Sequence, residues 1–244
     1  MHKVIVHCHP EPRSFNAALT QVVDTTLHTA GSTVEIADLY AEGFDPVEGP
    51  RHYTQRADPR YFAALTEQRN ARRPADVDAE IERLERADLL ILQFPLWWHA
   101  QPAMLKGWFD RVFVYGGLYT GSRRYDAGHF RGRRAILSVT TGGPRRSFLP
   151  YGRGGQIEQL LWPINYSLYY MGFDVLAPHV AYGVQGTGIA YREADDFSRH
   201  LDEIKHGWAE RLCHIDTDRP IPFTGWDDWD DGVLAEDHPQ RWLG

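Results

Sequence analysis

Three short runs of this 244-residue chain carry the side chains best suited to chemistry. The first places His9, Glu11, Arg13, Ser14 and Asn16 around the start of an apolar-periodic stretch. Ser14 stands just before that stretch and reads as an N-cap. A helix N-terminus presents free N–H groups and a partial positive charge, which suits a phosphate. An ordinary capped helix explains the same residues equally well. The second run is Pro95-Leu96-Trp97-Trp98-His99-Ala100-Gln101-Pro102. Adjacent indoles in a proline-bounded loop suit a planar heteroaromatic ring. The plainer alternative places one indole in the core and the other at a subunit contact. The third run is Thr140-Thr141-Gly142-Gly143-Pro144. Two glycines let a ligand approach the backbone closely, although Gly-Gly is also common turn chemistry.

Other chemistries find less support. There is no Walker A run, no G-x-G-x-x-G and no G-x-S-x-G, so neither a P-loop, a Rossmann dinucleotide site nor a hydrolase elbow is indicated. His7, Cys8 and His9 alternate along a strand and cannot converge on a metal. Cys8 and Cys213 are too few for a disulfide framework or a four-cysteine zinc site. No metal is expected, and Cys213, within a helical pattern, reads as a buried packing residue.

The elements that must hold these runs alternate between strand and helix. Val4–His7, Val34–Leu39, Leu89–Phe94, Arg134–Thr140 and Phe173–Ala177 read as strands. Phe15–Leu27, Asp76–Ala87, Pro102–Val114, Gln156–Met171 and Glu193–Cys213 read as helices, with Gly31 closing the first and Pro163 expected to kink or restart the fourth. Residues Tyr40 to Pro74 are too long for a structureless loop, so short helices are expected within them. The pattern calls for an α/β fold: a doubly wound parallel sheet with helices on both faces over residues 1–215, then an extended tail over 216–244. In such sheets ligands lie beyond the carboxyl ends of the strands, where all three runs fall.

Composition bounds the partners. With 26 Lys+Arg against 33 Asp+Glu the net charge is −7, which argues against nucleic acid. No apolar run has the length of a membrane span. The chain enters a strand at once, so no secretory leader is expected, and with so few cysteines a cytoplasmic location is expected. Aromatics reach 13%, with eight Trp, enough to furnish a slot for a flat ligand as well as a core.

The run Leu92-Gln93-Phe94-Pro95-Leu96-Trp97-Trp98-His99-Ala100-Gln101-Pro102-Ala103-Met104-Leu105-Lys106-Gly107-Trp108-Phe109-Asp110-Arg111-Val112-Phe113 closely resembles the NAD(P)H quinone reductase (DT-diaphorase-like) family. The order His9…Ser14-Phe15-Asn16, the Thr140–Gly143 run and Leu161-Trp162-Pro163-Ile164 resemble it too. The resemblance implies a five-stranded flavodoxin-like sheet of order 2-1-3-4-5, a bound flavin (FAD, with FMN the alternative), NAD(P)H as electron donor and a homodimer. It implies two-electron reduction of a quinone-like acceptor in ping-pong order. By position, His9, Ser14, Phe15 and Asn16 would hold the flavin phosphate region. Pro95, Leu96, Trp97, Trp98 and His99 would line the ring system, with Thr140, Thr141, Gly142, Gly143 and Phe148 along its other edge. Leu118, Tyr119 and Thr120 would form the substrate wall.

Two departures from the family pattern matter. Its animal members carry a Tyr and a His that assist hydride transfer, and here those places are Phe148 and Gly154, which donate no proton. Tyr151 is the candidate to supply the missing hydrogen bond. The second departure is Trp97-Trp98-His99, where the animal enzymes have Gln-Trp-Phe. Two other readings stand beside the reductase: an ancillary subunit of a potassium-efflux system, and a tailoring enzyme for one aromatic metabolite. The segments Tyr40–Pro74 (with Tyr53, Tyr61 and Phe62) and 216–244 (with Phe223, Trp226, Trp229 and Trp242) are expected to cover a partner subunit.

Overall fold

The chain was analysed as a computed structural model, which describes residues 1–70 and 73–234. A parallel sheet forms from β1 (His2–His7), β2 (Thr33–Asp38), β3 (Leu89–Pro95), β4 (Arg134–Thr141), β5 (Asp174–Val175) and β6 (His179–Tyr182) in the order β2-β1-β3-β4-β5, with β6 also pairing β4. The expected order 2-1-3-4-5 is thus present. The fifth strand is broken in two. Ala177 and Pro178 interrupt it, and pairing resumes where His179 meets Ser138. Proline has no N–H to give the ladder, so the strand ends before it and starts again after it.

Side-chain alternation divides the core between two faces. Ile5, Ile91 and Ile136 face α1 (Phe15–Thr29) and α6 (Ala194–Leu212), meeting Leu19, Val23, Trp208 and Leu212. Val4, Val6, Leu90, Leu92, Leu137 and Val139 face the other way. They bury α3 (Ala75–Arg86), α4 (Ala103–Val112) and α5 (Ile157–Tyr170) through Ile81, Leu84, Trp108, Val112 and Leu161. Each fully buried aliphatic side chain contributes about 1.5–3 kcal/mol. α5 runs through Pro163 without a break, so the expected restart does not occur.

Much of the long family-like run proves to be structural. A Cβ on Gly107 would lie 2.0 Å from the carbonyl oxygen of Pro46, so only glycine lets α4 pack that closely. Trp108 Nε1 donates to buried Glu80 at 2.7 Å, and buried Arg111 donates to Asp76 at 2.6 Å and to the Asp45 carbonyl.

The segment after β2 holds a short 3-10 turn at Pro50–His52 and α2 (Ala64–Asn70), as expected. It does not reach outward as a whole: Tyr53 is buried, Phe62 packs on it at 5.9 Å, and Gln68 accepts from the Tyr115 amide. Val47, Tyr61 and Leu65 are large apolar side chains that stay exposed there.

The tail also folds back on its own subunit. Buried Lys3 donates to Asp216 at 2.5 Å, and Arg134 donates to the carbonyls of Ile215 and Asp218. Residue 215 is therefore no structural boundary. Ile221 N–H donates to Val175 at 2.8 Å, and Phe223 stacks on Tyr169 at 4.5 Å. Trp226 meets Tyr125 and carries the Arg124 guanidinium at 4.8 Å. Trp229 opens a two-stranded hairpin, β7 (Trp229–Asp230) with β8 (Val233–Leu234). Through Trp226 the tail, expected to cover a partner, packs its aromatic side chains on its own subunit, and Trp242 lies outside the described residues. Cys213, expected to be buried, is exposed at the end of α6, whereas Cys8 is buried.

Candidate active site

The three runs meet at one edge because the strands carrying them are neighbours. β1 and β3 adjoin where the strand order reverses, the crevice at which doubly wound sheets bind ligands. Leu96 N–H donates to the Thr140 carbonyl at 2.8 Å, tying the second run to the third. Buried Asn16 ties the first run to the third and to the strand that leads into the second: its Nδ2 donates to Thr140 Oγ1, and its Oδ1 accepts from Gln93 Nε2, each at 2.9 Å. Gln93, in the middle of a buried strand, thereby holds the Asn16 amide between itself and Thr140. Gln93 Oε1 and its neighbour across the ladder, Ser138 Oγ, are sealed from solvent without partners among the described residues.

At the start of α1, Ser14 Oγ accepts from Ala17 N–H at 3.1 Å, and the Ser14 carbonyl accepts from Ala18. The amides of Phe15 and Asn16 have no helical partner, as geometry requires for a first turn. His9 Nδ1 accepts from Glu11 N–H at 3.1 Å, which leaves the neutral ring's proton on Nε2 as a donor. The His9 ring lies 5.8 Å from Trp97. Glu11 spends its charge on Arg13, whose hydrogen bonds hold that carboxyl below its usual range.

The Trp run is the strained part. Trp97 and Ala100 exchange both backbone hydrogen bonds at 3.0 Å, closing a two-residue hairpin whose central residues, Trp98 and His99, have φ of +49° and +62°. This is the arrangement of a type I′ turn, which favours Asn-Gly. Neither side chain is repaid by burial within the chain: Trp98 is 95% exposed and His99 is exposed. Strain of this kind persists at ligand clamps, where holding a side chain outward has a use.

Along the third run, Thr141 Oγ1 accepts from Gly143 N–H at 3.1 Å. A Cβ on Gly142 would strike the Gln185 side chain at 2.5 Å, and one on Gly143 would meet the Phe148 ring at 3.0 Å. Phe148 and Gly154 are also neighbours, because a Cβ on Gly154 would lie 3.0 Å from that ring. Phe148 and Gly154, where the animal enzymes have their Tyr and His, therefore adjoin beside Gly143, with the phenyl ring against both glycines.

Four expected site residues stand elsewhere. Tyr151 is fully exposed with φ +68°, and its hydroxyl bonds to none of the described residues, so it does not replace the absent donor here. Leu118 is 2% exposed within the core and cannot touch a substrate. Tyr119 packs edge-on against Tyr115 and Tyr170, and Thr120 accepts from the Arg123 amide; none of these contacts reaches the three runs. Gln93 and the arginines after Pro144 escaped the sequence reading. The one signal for Gln93 was a polar residue inside an otherwise apolar strand.

The residues present fit a flavin. Unpaired helix amides and the His9 donor suit a phosphate, and an exposed indole lies beside them. No group of His, Cys, Asp or Glu among the described residues is arranged to hold a metal. No helix among them is long and apolar enough to cross a membrane.

Comparison with known proteins decides the family. A model of the flavodoxin-like fold family matches residues 1–206. NAD(P)H dehydrogenase [quinone] 1 of Cavia porcellus is 38% identical over 226 residues, covering 90% of this chain and 79% of that protein. The chain belongs to the NAD(P)H quinone reductase family. Ribosyldihydronicotinamide dehydrogenase [quinone] of Homo sapiens is 34% identical over 227 residues, covering 91% of this chain and 94% of that one. A solved Klebsiella pneumoniae structure, assigned provisionally to the quinone reductases, superposes with a TM-score of 0.83 at 32% identity, covering 96% of this chain and 93% of that chain. Family relatives thus carry names that differ in the donor, a dinucleotide in one and a ribosylnicotinamide in the other.

Proposed function

We propose that this chain is a flavin-dependent NAD(P)H oxidoreductase that reduces quinone-like acceptors by two electrons in ping-pong order, with FAD as cofactor and a homodimer as the working unit. The carrying observation is the meeting of phosphate-type donors, outward-held indoles and the Thr140–Gly143 backbone at one sheet edge. His9 and the amides of Phe15 and Asn16 bind the phosphate, and Ser14 holds the helix end that presents them. Pro95, Leu96, Trp97, Trp98 and His99 flank the ring system, and Thr140–Gly143 with Phe148 close its far edge. A bound flavin supplies a carrier that takes an electron pair from a dihydronicotinamide and passes it to a quinone. Phe148 moves no proton; its ring shields that edge from water. Trp98 and Trp97, at 95% and 41% exposure, leave an apolar surface that a second copy covers.

The test is direct. Purified protein absorbs near ~450 nm, as oxidised flavins do, and consumes NADPH only when a soluble quinone is added. A colourless protein that takes up neither FAD nor FMN defeats the proposal. A flavin-bearing protein that passes no electrons to any quinone defeats the acceptor class alone.

A further inference from the structure

Beyond β6, at the edge of the sheet, lies a groove of about 520 Å³. It begins at Pro144, one residue past the glycine pair, and Arg145, Arg146, Tyr182, Tyr191 and Arg192 line it. It adjoins the candidate site. Gly183 N–H donates to the Gly143 carbonyl at 2.9 Å, and the Phe148 ring lies 5.8 Å from Tyr182. The volume is that of a small-molecule pocket.

Its charge is one-sided. None of the three arginines has an ion-pair partner among the described residues. Arg146 spends one N–H on the Ile189 carbonyl at 3.2 Å, which holds the far wall in place. Arg145 acts on the Tyr182 phenol: burial and the Glu158 charge push that group up, and Arg145 draws it down. The neighbouring carboxylate of Glu193 is engaged by the Tyr191 hydroxyl at 2.8 Å. Guanidinium groups stay charged at any working pH and match phosphate oxygens with paired donors. The Tyr191 ring, 65% exposed, offers a flat surface beside them.

We infer that this groove takes the phosphorylated adenosine end of NADPH, with the 2′-phosphate among Arg145, Arg146 and Arg192, so that the donor is a phosphorylated dinucleotide rather than a ribosyl dihydronicotinamide. The inference rests on the reductase reading and adds to it the identity of the donor. FAD also carries a phosphorylated adenosine, but without a 2′-phosphate, and that difference separates the two sources.

The experiment uses the flavin-loaded protein, its Arg145→Ala and Arg192→Ala variants and the double variant. Both arginines are exposed, so the substitutions leave the core intact, and a melting curve checks this. Calorimetry with 2′,5′-ADP measures the groove without turnover, and kcat/KM is measured with NADPH and with NADH. The wild-type protein binds 2′,5′-ADP and prefers NADPH. The double variant loses about ten- to a hundredfold in the NADPH:NADH ratio of kcat/KM, with a matching loss for 2′,5′-ADP. An unchanged ratio overturns the inference, as does a wild-type protein that binds no 2′,5′-ADP. Loss of FAD from the variants also overturns it, because the groove then belongs to the cofactor. If the reductase reading itself fails, the spectrum shows no flavin, whereas binding of 2′,5′-ADP is still read as heat.

Discussion

Replacing Trp98 and His99 by Asn and Gly tests whether strain is stored in the turn at the site. Both residues hold positive φ, and each left-handed residue other than glycine costs about 1–2 kcal/mol. Glycine recovers its share and Asn, which enters this region more readily than Trp, part of its own, together roughly 2–3 kcal/mol. The glycine gives back about 0.4–1 kcal/mol through the freedom it adds to the unfolded chain. Neither native side chain is buried within the chain, so no packing is lost to offset the gain. The net is about 2 kcal/mol, or about 4–8 °C of melting temperature for a chain of this size. Scanning calorimetry on flavin-free protein, dilute enough to be monomeric, reads that shift. The same variant weakens flavin binding, because the side chains that flank the ring are gone. A melting temperature that stays level or falls refutes the strain argument, whatever the flavin does.

Four further expectations follow from particular contacts. Burial lowers the His179 pKa to about 4, with Arg211 adding to the effect, and burial also lowers His7. Both groups bind fewer protons folded than unfolded, so stability is full above pH ~6.5 and falls as pH drops toward 4, by on the order of 3 kcal/mol for His179; His179→Phe should flatten that arm of a urea-midpoint profile, and an unaltered slope counts against it. Restoring the family's histidine by Gly154→His should cost on the order of 1–3 kcal/mol, because the new Cβ would meet the Ser147 carbonyl oxygen at 2.9 Å and the Phe148 ring at 3.0 Å; a variant as stable as wild type in urea shows that the loop yields freely. Asp216→Ala should cost roughly 1–3 kcal/mol, because fully buried Lys3 loses its carboxylate while Asp216 itself is half exposed; adding Lys3→Met should recover most of the loss, and a double variant no better than the single one contradicts the pairing. Tyr151→Phe should leave the single-turnover rate of flavin reduction within about twofold, and a tenfold drop would restore the hydroxyl to the reaction.

The frame of this fold was legible because periodicity reports burial on one face or two. Leu89–Phe94 is apolar at every position but Gln93 and became the central β3; Phe15–Leu27, capped by Ser14 and closed by Gly31, became α1 with two residues added at its end. The fifth strand was half-read, because Pro178 looks like an end when it is an interruption. The site was legible in its loops and not in its geometry. Nothing in Trp98-His99 announces a type I′ turn, since the usual Asn or Gly is missing. Leu118 was placed by counting along the family pattern, and counting does not reveal that its side chain points into the core. The tie from Gln93 through Asn16 to Thr140 joins residues 77 and 124 positions apart, a separation at which local pattern carries no information.

The segment that follows α6 also guards the sheet. Ile221 gives its N–H inward to Val175, and Pro220 faces Leu176 in an antiparallel bridge. Along an extended chain the N–H groups alternate in direction, so those that would point away from the sheet belong to Pro220 and Pro222, which have none. The border of β5 is therefore finished with a strip that offers no donors to a stranger. A bare border of this kind is a template on which other chains add strands and aggregate. With Pro220 and Pro222 replaced by residues that carry an N–H, the domain would keep its core and lose its selvedge, and its solubility in a crowded solution would fall long before its chemistry did.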